Sequence, residues 1–77
     1  MRDYPMYSNQ YLYGGRWMSA VVVLRDIRRV AKRIQDAATT PRQRDAAAFA
    51  LRQPHAVASR PGLSEDLNNL ASSMGLL

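Results

Sequence analysis

The chain has 77 residues, 47% of them apolar, with one Trp, one Phe and no Cys, a length that holds one small domain burying about 60% of its unfolded surface. The lack of cysteine excludes a disulfide framework and thiolate metal sites, and fits a reducing cytoplasm such as that of a bacterial or phage-infected cell. A formal charge of +5 and a pI near 10.5 point to an acidic partner.

In chain order, residues 1–17 form a Tyr-rich segment with Tyr4, Tyr7, Tyr11 and Tyr13, ending in Gly14, Gly15, Arg16 and Trp17. Tyr11 and Tyr13 alternate around Leu12 ahead of the Gly pair, which is the signature of a two-residue hairpin turn. Two strands alone are marginal, so a hairpin and an aromatic arm packed on the helices both stay open.

From about Met18 to Ala38 apolar residues recur at Ala20, Val23, Leu24, Ile27, Val30, Ala31, Ile34 and Ala38, the spacing of a long amphipathic helix with Ser19 as its cap. The weak point is the run Val21, Val22 and Val23, whose β-branched side chains suit an extended start and allow the helix to begin nearer Leu24. Thr39, Thr40 and Pro41 then turn the chain, with Thr40 as cap and Pro41 at the first helical position of a helix over residues 41–53. Its Ala46, Ala47 and Ala50 favour helix and permit close approach of a neighbour. The stretch 54–62, with prolines near both ends, reads as an irregular connection. Ser64 reads as the cap of a last helix over 64–75, with Glu65 and Asp66 complementing the dipole in its first turn and an end near Gly75. The expected fold is mainly α: a small three-helix bundle with an aromatic amino-terminal arm or short β-hairpin. A core this modest would be helped by a partner or by a second copy of the chain.

Charge is unevenly spread: residues 1–60 hold all eleven bases against four acids, whereas 61–77 hold Glu65, Asp66 and no base. Ten of the eleven bases are Arg, the side chain suited to bidentate contact with phosphate or carboxylate. Arg25, Arg28, Arg29, Lys32 and Arg33 recur at spacings of three and four opposite the apolar stripe, forming a basic ridge that Arg42 and Arg44 continue past the corner. The competing explanation is a solvated helix face whose Arg stems cover the core. Tyr4, Tyr7, Tyr11, Tyr13 and Trp17 are candidate interface anchors, since Tyr, Trp and Arg are enriched at binding hot spots; alternatively the tyrosines cover the bundle.

Catalysis is not expected. One His, one Glu and five Asp leave little from which to build a metal or cofactor site, so none is assigned. A trio of Ser59, His55 and Asp66 exists on paper, but no nucleophile-elbow glycine pattern surrounds Ser59. Gly14 and Gly15 form neither a P-loop nor a dinucleotide fingerprint. Apolar runs such as Ala20 to Leu24 are far short of the roughly 20 residues a spanning helix needs, so no membrane association is expected.

The order of an extended segment followed by two helices is similar to ribbon-helix-helix repressors. The long first helix, the Thr39, Thr40, Pro41 corner and the interrupting Gly pair depart from that family. A helix-turn-helix is disfavoured by the length of the 54–62 connection. In size and composition the chain resembles small phage- or mobile-element-encoded regulators, including inhibitors of the anti-CRISPR type. The expected function is therefore a basic, noncatalytic interaction protein that docks on an acidic protein surface or nucleoprotein complex and regulates or inhibits it. The alternative is a regulator binding DNA or RNA through the Arg-rich helix and the Tyr-rich arm.

Overall fold

The computed structural model describes residues 9–77. Two short strands, β1 (Gln10–Tyr13) and β2 (Arg16–Ser19), form an antiparallel hairpin, followed by helices α1 (Ala20–Ala37), α2 (Pro41–Arg52), α3 (Pro54–Ala58) and α4 (Pro61–Ser73). The hairpin resolves the choice left open by the sequence. Tyr13 pairs with Arg16 across a turn in which Gly14 and Gly15 have φ of 61° and 80°. Successive left-handed residues match the twist of the flanking strands, and glycine adopts them without a Cβ penalty.

α1 begins at Ala20 despite the valine run. The Ala20 N–H continues the hairpin ladder to the Asn9 carbonyl at 2.7 Å, which fixes the first helical residue. Val23 is then fully buried while Val21 and Val22 face solvent, so packing of one valine overrides the β-preference of three. Ser19 occupies the cap position without a side-chain cap bond. The helix is about 27 Å long at 1.5 Å per residue, and it touches both strands and all three other helices.

The core is built mostly by that one helix. Val23, Leu24, Ile27, Val30, Ala31 and Ile34 meet Ala47 and Ala50 of α2, Val57 and Ala58 of α3, and Leu67 and Ala71 of α4. Large side chains on α1 against alanines on α2 let the two axes approach closely, so most of the buried volume belongs to α1. At the corner, Thr40 Oγ1 accepts from Gln43 N at 3.2 Å while Gln43 Oε1 accepts from Thr40 N at 3.3 Å, a reciprocal capping box.

Two expectations are corrected in the second half of the chain. Residues 54–62 are not irregular: Pro54 starts the single-turn helix α3, giving four helices rather than three among the described residues. The last helix starts at Pro61 rather than after Ser64. Pro41, Pro54 and Pro61 each occupy a first helical position, where a missing N–H costs nothing and the fixed φ favours the helix. Ser64 is buried inside α4 with its hydroxyl donating to the Pro61 carbonyl at 3.1 Å, and Glu65 and Asp66 lie beyond the first turn. The end near Gly75 is as expected. Gly75 has φ of 77°, its N–H reaches the Ser72 carbonyl at 3.0 Å, and Leu76 N–H reaches Ala71 at 2.9 Å, a Schellman arrangement.

Candidate docking surface

The hairpin is pinned to the helices by its tyrosines. Tyr11, Tyr13 and Met18 share the sheet face that packs on the core, while Leu12 and Trp17 pair on the opposite face. The Tyr13 hydroxyl donates to the Asp26 carboxylate of α1 and accepts from Asn68 Nδ2 of α4 at 3.1 Å. The second amide hydrogen of Asn68 goes to the Ser64 carbonyl at 2.9 Å. Tyr11 hydrogen-bonds His55 Nδ1 on α3 at 3.2 Å. Two of the proposed anchors therefore spend their hydroxyls inside the fold, whereas Trp17 remains 68% exposed. Tyr4 and Tyr7 lie outside the described residues.

Burial and the hydrogen bond to Asp26 push the Tyr13 phenol up to about 12. Burial acts to raise the Asp26 carboxyl, but the Tyr13 hydroxyl and the Arg29 guanidinium outweigh it and hold the group below the usual carboxylate value. Arg29 in turn is raised by its hydrogen bond to Asp26.

Arg25, Arg28, Arg29, Lys32 and Arg33 are all exposed on the outer face of α1, opposite the buried stripe. Arg29 Nη2 meets Asp26 Oδ1 at 2.6 Å and Lys32 Nζ meets Asp36 Oδ1 at 3.2 Å. Among the described residues Arg25, Arg28 and Arg33 form no ion pair, so the face carries five cations against two carboxylates, a net +3 with three arginines uncommitted. At 1.5 Å per residue the ridge is about 12 Å long. Val21, 71% exposed, and Val22 lie on the same face at its amino-terminal end, next to the hairpin that carries Trp17. These are two of the valines whose β-branching suits an extended start; their place on the helix follows from its period once Val23 is fixed inward.

The ridge does not continue smoothly onto α2. Arg42 and Arg44 are two residues apart and so lie on different flanks, about 200° around the helix. Arg44 is exposed. Arg42 lines a separate cleft of about 170 Å³ between α2 and α4, over a floor that includes Phe49, Leu67 and Leu70, with Asp66 on the far rim. Of the paper trio, Ser59 Oγ donates to the Ala56 carbonyl at 3.2 Å and His55 Nδ1 hydrogen-bonds Tyr11. No group of three or more His, Cys, Asp or Glu positioned to hold a metal occurs among the described residues, and no helix among them is long and apolar enough to cross a membrane.

Comparison with protein-family models, curated proteins and solved structures finds no match to this chain.

Proposed function

We propose that this chain is a noncatalytic interaction protein that docks through the outer face of α1 and the adjoining β2 onto an acidic protein surface, and so regulates or inhibits the assembly that carries it. The observation behind this reading is that uncommitted Arg25, Arg28 and Arg33 share the outer face of α1 with exposed Val21 and Val22, while β2, which leads into that helix, carries exposed Trp17. A purely solvated face has no use for two exposed valines among its arginines, whereas an interface pairs apolar anchors with Arg at its rim. The exposed valines favour a protein partner over a nucleic acid, whose phosphates are met by cations and polar groups.

The test is capture of partners from bacterial lysate, with and without nuclease treatment, by the wild-type chain and by the triple variant Arg25→Glu, Arg28→Glu, Arg33→Glu. These three are chosen because reversing Arg29 would also place a second carboxylate beside Asp26 and disturb the hairpin. The expected result is a stoichiometric acidic protein retained by wild type and lost by the variant, with the helical circular-dichroism signal unchanged. Retention by both would refute a role for the ridge, and capture of nucleic acid alone, lost on nuclease treatment, would replace this reading with nucleic-acid binding.

A further inference from the structure

The hairpin ladder determines which backbone groups of β2 are left over. In a two-residue hairpin the closing pair, Tyr13 and Arg16, exchanges both hydrogen bonds, and so does every second pair after it. Tyr11 and Met18 are the next such pair, and the bond from Ala20 N–H to Asn9 at 2.7 Å continues the same alternation. Trp17 and Ser19 therefore turn their N–H groups away from β1. The Ser19 carbonyl is taken by the first turn of α1, but the Trp17 N–H, the Trp17 carbonyl and the Ser19 N–H have no backbone partner among the described residues.

The space beside this edge is shaped. A cleft of about 400 Å³ lies between β2 and α1, with Met18 and Val22 in its floor and Arg16 and Asp26 at its rims. Asp26 is already engaged by Tyr13 and Arg29, so it offers little uncompensated negative charge to the cleft. A strand added alongside β2 would run about 4.8 Å from it and would lie over this floor, with the arginines of α1 beyond.

We infer that β2 is an edge for strand addition, and that the partner supplies an extended segment in which apolar and acidic side chains alternate along one face, the apolar ones seated on Met18 and Val22 and the carboxylates reaching Arg16 and the α1 ridge. This rests on the docking function proposed above and specifies the form of the partner's contacting segment. Charge complementarity selects the acidic residues, and the apolar floor selects what stands between them. Main-chain hydrogen bonds supply the adhesion, as in other edge-strand recognition.

Ser19 allows the edge to be closed without harming the fold. Its φ is −56° and its hydroxyl makes no cap bond, so proline fits the backbone there and removes only the outward N–H. The probe is a capped peptide of about a dozen residues repeating glutamate, threonine, valine and threonine, which places glutamate and valine alternately on one face of a strand. An isomer of the same composition with glutamate on one face and valine on the other is the control. Trp17 is the only Trp in the chain, so its emission reports this edge directly.

The wild type is expected to bind the patterned peptide with a blue shift of Trp17 emission and protection of the Trp17 and Ser19 amides from exchange. Ser19→Pro should weaken binding at least about tenfold, losing one hydrogen bond and meeting the proline ring, with the thermal midpoint kept. Equal binding by Ser19→Pro, equal binding of the isomer, tighter binding of oligothymidylate, or no peptide binding overturns strand addition. If the ridge-reversed triple variant loses a captured acidic protein that Ser19→Pro still holds, the docking function stands and only its strand form fails. If neither variant loses it, both fail.

Discussion

Replacing Tyr13 with Phe removes one hydroxyl and leaves the ring that packs on the core. In the wild type that hydroxyl gives its proton to Asp26 and receives one from Asn68, joining β1 to both α1 and α4. Asp26 keeps Arg29 in the variant and Asn68 keeps the Ser64 carbonyl, so neither is stranded. The rise of the Tyr13 phenol from 10.0 to about 12 comes first from burial and then from the Asp26 hydrogen bond, so the loss at neutral pH is set by the hydrogen bond to a charged group, worth about 1.5–3 kcal/mol. Because the pair is only part-buried, solvent screening reduces the expected loss to ~1–1.5 kcal/mol. For a chain of this size that lowers Tm by about 4–12 °C.

The pH dependence has a definite sign at both ends. Asp26 is depressed in the folded state, so its contribution is present above the unfolded value of about 3.9 and is lost as pH falls through the lower folded value. Tyr13 is raised, so its contribution is complete below about 10 and is lost as pH climbs to about 12. The difference in Tm between wild type and Tyr13→Phe should therefore be largest around neutrality and shrink at both extremes. Thermal melts by circular dichroism across pH check this, and phenolate absorbance should show one tyrosine ionising near 12 that the variant lacks. A variant as stable as wild type at neutral pH, with no such late phenol in the wild type, would refute the hairpin's attachment through Tyr13.

Ala50→Leu tests the close α1 to α2 contact: with Ala50 fully buried, overpacking should cost ~1–3 kcal/mol by chemical denaturation, and a neutral result would mean the two helices are further apart than described. Gly15→Ala should cost ~1–2 kcal/mol through backbone conformation alone, since φ is +80° and no atom crowds the new Cβ, whereas Gly14→Asn, which suits the first position of the turn, should lie within ~0.5 kcal/mol of wild type. Thr40→Ala removes half of the capping box and should cost about 1 kcal/mol, measured the same way, with little change if Gln43 alone holds the corner.

The parts of the fold that sequence revealed were those fixed by a single strong pattern. Val23, Ile27, Val30 and Ile34 recur at helical spacing, and no other element suits them. Gly14 and Gly15 after the alternating Tyr11, Leu12 and Tyr13 mark a tight turn, but a hairpin and a packed aromatic arm share that signal until the strand register decides between them. Proline at 54 and 61 misled because the same residue both ends and begins helices; which role applies depends on whether the following residues have a core to bury against. Here Pro54, Val57 and Ala58 do. Ser64 followed by Glu65 and Asp66 matches a cap locally, but Pro61 and the burial of Leu67 and Ala71 start the helix one turn earlier.

At the candidate surface, the ridge followed from periodicity, yet which arginines are uncommitted did not. That depends on Asp26 and Asp36, whose positions three residues before Arg29 and four after Lys32 were the available signal. The roles of Asn68 and His55 were not legible, because they meet the tyrosines only through contacts 55 and 44 residues apart in the chain. The division of labour between Tyr13 and Trp17 follows from the strand alternation, but only once the register shows which face meets α1.

The most direct test of the docking surface is hydrogen exchange of the wild-type chain, free and in complex with the acidic protein it retains after nuclease treatment. Protection concentrated in β2 and the exposed amides at the start of α1, with carbodiimide crosslinks from Lys32, which stands among the ridge arginines, to partner carboxylates, is the predicted footprint. Protection confined to the cleft beside Phe49 and Leu70, with β2 exchanging as in the free chain, would contradict it.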